Sequence, residues 1–154
     1  MDERYINPFI ESFDLVMPQL GFTDFKKGGL SEKGQELLTS GVIILVGIVG
    51  AVKGNVAYHI DLENAKNLAS TMMMGMPVEE LDEMAQSALS ELTNMLTASA
   101  ATCFYDKLGI KIDISTPTLF YGNNISVKMS SKKVFGIELS ADNNPIEISL
   151  AFEE

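Results

Sequence analysis

The hydrophobic positions change period several times along the chain, and each change marks an element. Ile6, Phe9, Ile10, Phe13, Val16 and Leu20 recur at helical spacing, with Asp2, Glu11 and Asp14 elsewhere on the wheel, so residues 2–20 read as a first helix. Pro8 suits its first turn, and Pro18 marks a kink or an end. Residues 21–41 are mixed and polar, with Gly28, Gly29, Gly34 and Gly41, and predict a loop holding at most a short strand. Val42 to Val49 is a continuous run of mostly branched apolar residues, the pattern of a strand buried on both faces. After a turn over Gly50 to Lys53, Val56, Tyr58 and Ile60 share one face and Asn55, Ala57 and His59 the other, which completes a hairpin. Asp61 is placed to cap a helix from Leu62 to about Met74, stopped by Gly75-Met76-Pro77.

The longest periodic stretch is Glu79 to Leu108. It opens on Glu79, Glu80, Asp82 and Glu83, which suit the positive end of a helix dipole, and closes on Lys107, Leu108 and Gly109. Leu81, Met84, Ala85, Ala88, Leu89, Leu92, Met95, Leu96 and Cys103 form its apolar side. Opposite lie Gln86, Ser87, Ser90, Glu91, Thr93, Asn94, Thr97, Ala98 and Ala101. This second face is unusual because its middle turns carry mostly small residues, over which another surface can approach closely. Glu91 and Asn94, three apart, stand side by side on it.

Further on, Ile110, Ile112 and Ile114 alternate with Lys111 and Asp113, and strands are expected at Ile125–Met129, Lys133–Leu139 and Ile146–Phe152. The last puts Ile146, Ile148, Leu150 and Phe152 inward and Glu147, Ser149 and Ala151 outward, after a turn at Asn143-Asn144-Pro145. The fold class is α/β of the α+β type. The long helix and two further helices pack on a mostly antiparallel sheet, in a single domain over residues 1–154.

Composition narrows the function. A net charge of -10 argues against nucleic acid and against an anionic membrane surface. The longest apolar run is too short to span a bilayer, and the N-terminus lacks a basic region followed by an apolar run, so no signal peptide is expected. The single cysteine, Cys103, forms no internal disulfide, which fits a reducing cytoplasm, and reads as a small core hydrophobe. His59, the only histidine, has no metal-ligand spacing around it and reads as structural. Met72, Met73, Met74 and Met76 read as core packing, with a partner-facing methionine at the helix end as the alternative. The acidic cluster at residues 79–83 reads as a helix start, and no metal site is expected.

The polar face carries one specific pattern: Ser87, three residues, Glu91, two residues, Asn94, then 22 residues to Pro117. It resembles the signature of the CheC/CheX/FliY family of chemotaxis phosphatases, most closely the CheX branch. The similarity extends through GIVGAVKGNVAYHI, TMMMGMP, LDEMAQSALSELTNML and IDISTPT. The resemblance implies a CheC-like fold and dephosphorylation of the aspartyl phosphate on a CheY-type response regulator. It implies Glu91 and Asn94 as catalytic residues, Glu91 docking on the regulator's lysine and Asn94 positioning the attacking water. Ser87, Ser90 and Ala98 would give the regulator close approach, with Pro117 completing the motif. The chain would hold no cofactor of its own, Mg²⁺ lying in the regulator's site, and would form a cytoplasmic homodimer. A non-catalytic module that docks on the regulator, or a structural dimer with Glu91 and Asn94 as mere surface, are the alternatives.

Overall fold

The structure, a computed structural model, describes residues 3–153. A 3-10 turn over Glu3–Tyr5 leads into α1 (Asn7–Gln19), then β1 (Phe25–Lys33), β2 (Glu36–Gly50) and β3 (Gly54–Ile60). Helices α2 (Leu62–Met72) and α3 (Glu83–Leu108) follow, and β4 (Ile112–Ile114), β5 (Thr118–Lys128), β6 (Val134–Ala141) and β7 (Asn144–Phe152) complete the chain. The seven strands make one antiparallel sheet in the order β1-β6-β7-β3-β2-β4. Strand β5 also pairs with β2, along the same edge as β4. The expected class, helices packed on a mostly antiparallel sheet, is the observed one.

One face of the sheet carries the main core. Val42, Ile44, Val46 and Ile48 of β2 meet Val56, Tyr58 and Ile60 of β3 and Leu89, Leu92 and Leu96 of α3 there. Phe9 of α1, Phe104 of α3 and Phe152 of β7 form an aromatic cluster, with Phe104 6.0 Å from each of the other two rings. The opposite face is also covered in part. Val127 and Met129, at the end of β5, pack with Ile43, Ala57, Val134 and Ala151. Burial of β2 on both faces, expected from its unbroken apolar run, therefore has two separate sources.

The turns explain much of the layout. Pro8 lies in the first turn of α1, and the helix ends just after Pro18. Gly109 ends α3 in the left-handed region at φ +67°, its N–H bonding back to Tyr105 O at 3.0 Å. Asp142 and Asn143 both have positive φ, the requirement of a two-residue hairpin turn between β6 and β7.

Several expectations are corrected. Residues 21–41 are mostly strand: β1 is exposed along nearly its whole length and offers no burial period, and the start of β2 alternates only between exposed and half-buried positions. Helix α3 starts at Glu83, not Glu79, since Asp82 is the N-cap: its side chain accepts from Ala85 N at 2.9 Å. Thr93 and Thr97, assigned to the polar face, are buried. Thr97 donates to Thr93 O and hydrogen-bonds the buried Tyr58 hydroxyl at 2.7 Å, and Thr93 bonds Leu89 O at 3.1 Å. Met84, placed on the apolar side, is exposed.

Of the methionine run, Met72 packs against the core but Met74 and Met76 are exposed, because the chain leaves the helix there with Met74 at φ 60°. Asp61 stands at the N-cap of α2 but makes no capping bond. The turn before β7 is Asp142-Asn143, and Asn144 and Pro145 already belong to the strand. Ser149 and Ala151 are buried, because the second cluster covers their face. Ile110 lies outside β4. Asp2, included in the expected first helix, falls outside the described residues.

Candidate active site

Helix α3 is fixed in rotation by its buried stripe of Ala85, Leu89, Leu92, Leu96 and Ala100. At about 100° per residue, that stripe turns Ser87, Ser90, Glu91 and Asn94 away from the core. They face an open groove of about 800 Å³, whose far wall is the chain from Ile114 to Leu119, Pro117 included. The motif residues Ser87, Glu91 and Asn94 of α3 and the distant Pro117 thus line one depression. Ser90 lines it too. Ala98 is exposed but does not, because it lies one turn further along α3 than Asn94.

The far wall is shaped by a bulge. Leu45 pairs with Thr118 and Ile48 with Ile114, so the three residues 115–117 stand opposite the two residues 46–47. The extra residue interrupts the ladder, and Pro117, which has no N–H to give it, sits within the interruption. Ser115 anchors the bulge at its start. Its N–H donates to Gly47 O at 2.9 Å, and its Oγ accepts from Gly47 N at 2.7 Å.

Chemically, the groove is polar and acidic. Its charged lining residues are Glu83 and Glu91. Among the described residues, neither Glu91 nor Asn94 makes a side-chain hydrogen bond or ion pair within the chain. Glu91 is exposed and Asn94 half-buried. An unpaired carboxylate at the mouth of such a groove attracts a cation and repels a free anion. An uncharged carboxamide beside it can hold water near a phosphoryl group without that repulsion.

Sequence reasoning did not name Glu83, Gln86, Thr118 or Leu119, nor the stretch Ile114, Ser115 and Thr116, as lining residues. Gln86 has a structural bond, its Nε2 donating to Leu81 O at 2.9 Å and tying the first turn of α3 to the preceding loop. The signal for the wall was a proline among strand-forming residues, which predicts an edge or a bulge.

The remaining chemistry-bearing residues lie elsewhere. His59 is half-buried, with Nε2 2.8 Å from Ser40 O, a structural contact as expected. Cys103 Sγ donates to Glu11 Oε2 at 2.8 Å, and Lys107 Nζ bonds Glu11 Oε1 at 2.8 Å. Burial and the neighbouring carboxylate push the Cys103 thiol up to about 11. It is a protonated core thiol, not a nucleophile. Among the described residues, no group of three or more His, Cys, Asp or Glu side chains is arranged to hold a metal ion. None of the described helices is long and apolar enough to cross a membrane.

The family model described as Chemotaxis phosphatase CheX matches residues 42–140. The CheY-P phosphatase CheX of Thermotoga maritima is 33% identical over 129 residues, which are 83% of this chain and 82% of that one. Among solved structures, a CheC-like superfamily protein from Shewanella sp. PV-4 superposes with a TM-score of 0.87 at 28% identity, covering 100% of both chains. CheX in the CheX-CheY-BeF3-Mg²⁺ complex from Borrelia burgdorferi superposes with a TM-score of 0.82 at 25% identity, covering 97% of this chain and 98% of that one.

Proposed function

The chain belongs to the chemotaxis phosphatase CheX family, and from that premise we propose that it hydrolyses the aspartyl phosphate of a CheY-type response regulator. One observation carries this reading: Glu91 and Asn94 stand unpartnered, side by side on α3, facing the Pro117 wall across an open groove. A pair of polar groups with no partner inside its own chain is arranged for a partner outside it.

In the proposed complex α3 lies against the phosphorylation site of the regulator. Glu91 accepts an ion pair from the regulator's lysine, which sets the register of the helix. The Asn94 carboxamide oxygen accepts from a water and holds it in line with the bond to be broken. The water oxygen forms a bond to phosphorus as the phosphorus–oxygen bond to the aspartyl group breaks. The electron pair leaves with the aspartate carboxylate, and the water's proton ends on inorganic phosphate. Mg²⁺ belongs to the regulator's site and no covalent intermediate forms on this chain, so the contribution here is positioning. The small side chains Ser87 and Ser90, with Ala98 a turn beyond, let the regulator approach the helix backbone.

The test charges a CheY-type regulator with acetyl phosphate and follows inorganic phosphate at substoichiometric amounts of this protein. Sustained release above the regulator's own rate is expected. EDTA should abolish it, whereas calorimetric titration of the isolated protein with Mg²⁺ should show no tight binding. Binding without turnover would identify a docking module instead.

A further inference from the structure

We propose that Ser115 is a positioning residue for this reaction: it locks the β-bulge that carries Thr116 and Pro117 against α3. The inference rests on the phosphatase reading. It adds a residue outside the Ser87, Glu91, Asn94 and Pro117 pattern.

The argument begins with a deficit in the ladder. An extra residue in one strand disrupts the ladder locally and carries the carbonyl at that point out of reach of its partner's N–H. Opposite this bulge the N–H at risk is that of Gly47, in β2. Ser115 Oγ takes the carbonyl's place at 2.7 Å, while the backbone N–H of Ser115 holds Gly47 O at 2.9 Å. One residue thereby satisfies both polar groups of Gly47. Gly47 leaves room for it, since a Cβ there would sit 3.2 Å from Ser115 Oγ. The bulge is thus pinned at one end by these two bonds, and at the other by the resumption of the ladder at Thr118 opposite Leu45.

Between the two pins stand Thr116 and Pro117, which line the groove with Ser87, Glu91 and Asn94. The other bulge in the β2–β5 pairing is held in a related way, Asn124 N donating to Ser40 Oγ at 3.1 Å. Serine hydroxyls therefore supply the bond that regular pairing loses at both irregularities. At the groove the consequence is catalytic. Displacing a wall by about 1 Å costs up to roughly 100-fold in a reaction that depends on alignment.

Ser115→Ala removes the acceptor while keeping the backbone bond, and Ser115→Thr retains a hydroxyl at Cβ. The experiment measures dephosphorylation over a range of regulator concentrations, together with amide hydrogen exchange at Gly47. Ser115→Ala should lower kcat about tenfold with KM changed less than about twofold, and should speed exchange at Gly47, while Ser115→Thr restores both. A kcat within about twofold of the parent for Ser115→Ala would overturn the proposal. So would a rise in KM with kcat intact, or equal impairment of the Ala and Thr variants. Parent protein without turnover removes the phosphatase reading and this inference with it. Turnover that depends on Asn94 but not on Ser115 removes this inference alone.

Discussion

At the scale of single residues, Glu91 and Asn94 are neighbours with different tasks, and substitution should separate them. The bond from Asn94 to the attacking water is complete only in the transition state, so Asn94→Ala should lower kcat by roughly 100-fold and leave regulator binding near the parent value. Glu91 meets the regulator's lysine in the docked complex as well, so Glu91→Ala should weaken binding about tenfold or more. Ser90→Lys should block docking by bulk without touching either group. Steady-state kinetics and direct binding measurements on the three variants check this, with circular dichroism to confirm the fold. Near-normal kcat in Asn94→Ala would refute the water-positioning role. Glu91, Asn94 and Pro117 were legible as groove residues through the spacing of the family pattern, since the helical period alone also put the buried Thr93 and Thr97 on that face. Ser115, Thr116 and Thr118 were not, because their meaning depends on a one-residue offset between β2 and the chain beside it, and register between distant segments leaves no local trace.

At the scale of elements, carboxylates tie pieces of the fold together, and their titration gives a prediction with a definite sign. Glu11 of α1 accepts from Cys103 and Lys107 of α3, and those two hydrogen bonds hold its carboxyl below the usual range. Asp142, in the turn between β6 and β7, accepts from the backbone N–H groups of Asp24 and Thr23, and it too is held low, chiefly by the bond from Asp24. A lowered native value means the stabilisation is fully present above the unfolded value near about 4 and is lost as pH falls through the native one. Comparison with variants isolates the effect. Urea midpoints of Glu11→Gln and Asp142→Asn should fall less than the parent's between about pH 5 and pH 3, and an unchanged pH slope would show that neither link matters. Neither tie was legible beforehand: Glu11 and Asp142 meet partners far away in the chain. What could be read was the period of buried elements, such as β2 and α3. Strand β1, nearly all exposed, had no period to offer.

At the scale of the whole molecule, the sheet ends in two unlike edges, and a homodimer, which the family resemblance implies, is proposed here to form at one of them. Strand β1 carries Lys26, Lys27 and Lys33, charges of the kind that discourage pairing between edges. Strand β5 runs eleven residues, Thr118–Lys128, with β2 on one side, and exposes Phe120 at 45% and Tyr121 at 56%. Two copies meeting there about a twofold axis would form an antiparallel, self-complementary contact and continue the sheet. Light scattering at micromolar concentration should then give twice 16.8 kDa. The double substitution Phe120→Lys with Tyr121→Lys should return a monomer, since it replaces the exposed aromatic surface of that edge with two charges of the kind that discourage pairing. The groove decides what happens to activity. The residues of this chain, the wall from Ile114 to Leu119 and the facing turns of α3, already bring Ser87, Glu91, Asn94 and Pro117 together. The monomeric variant should therefore keep kcat within about threefold of the parent. A parent of single-chain mass would remove the dimer, and loss of turnover together with the dimer would mean that the second copy completes the site.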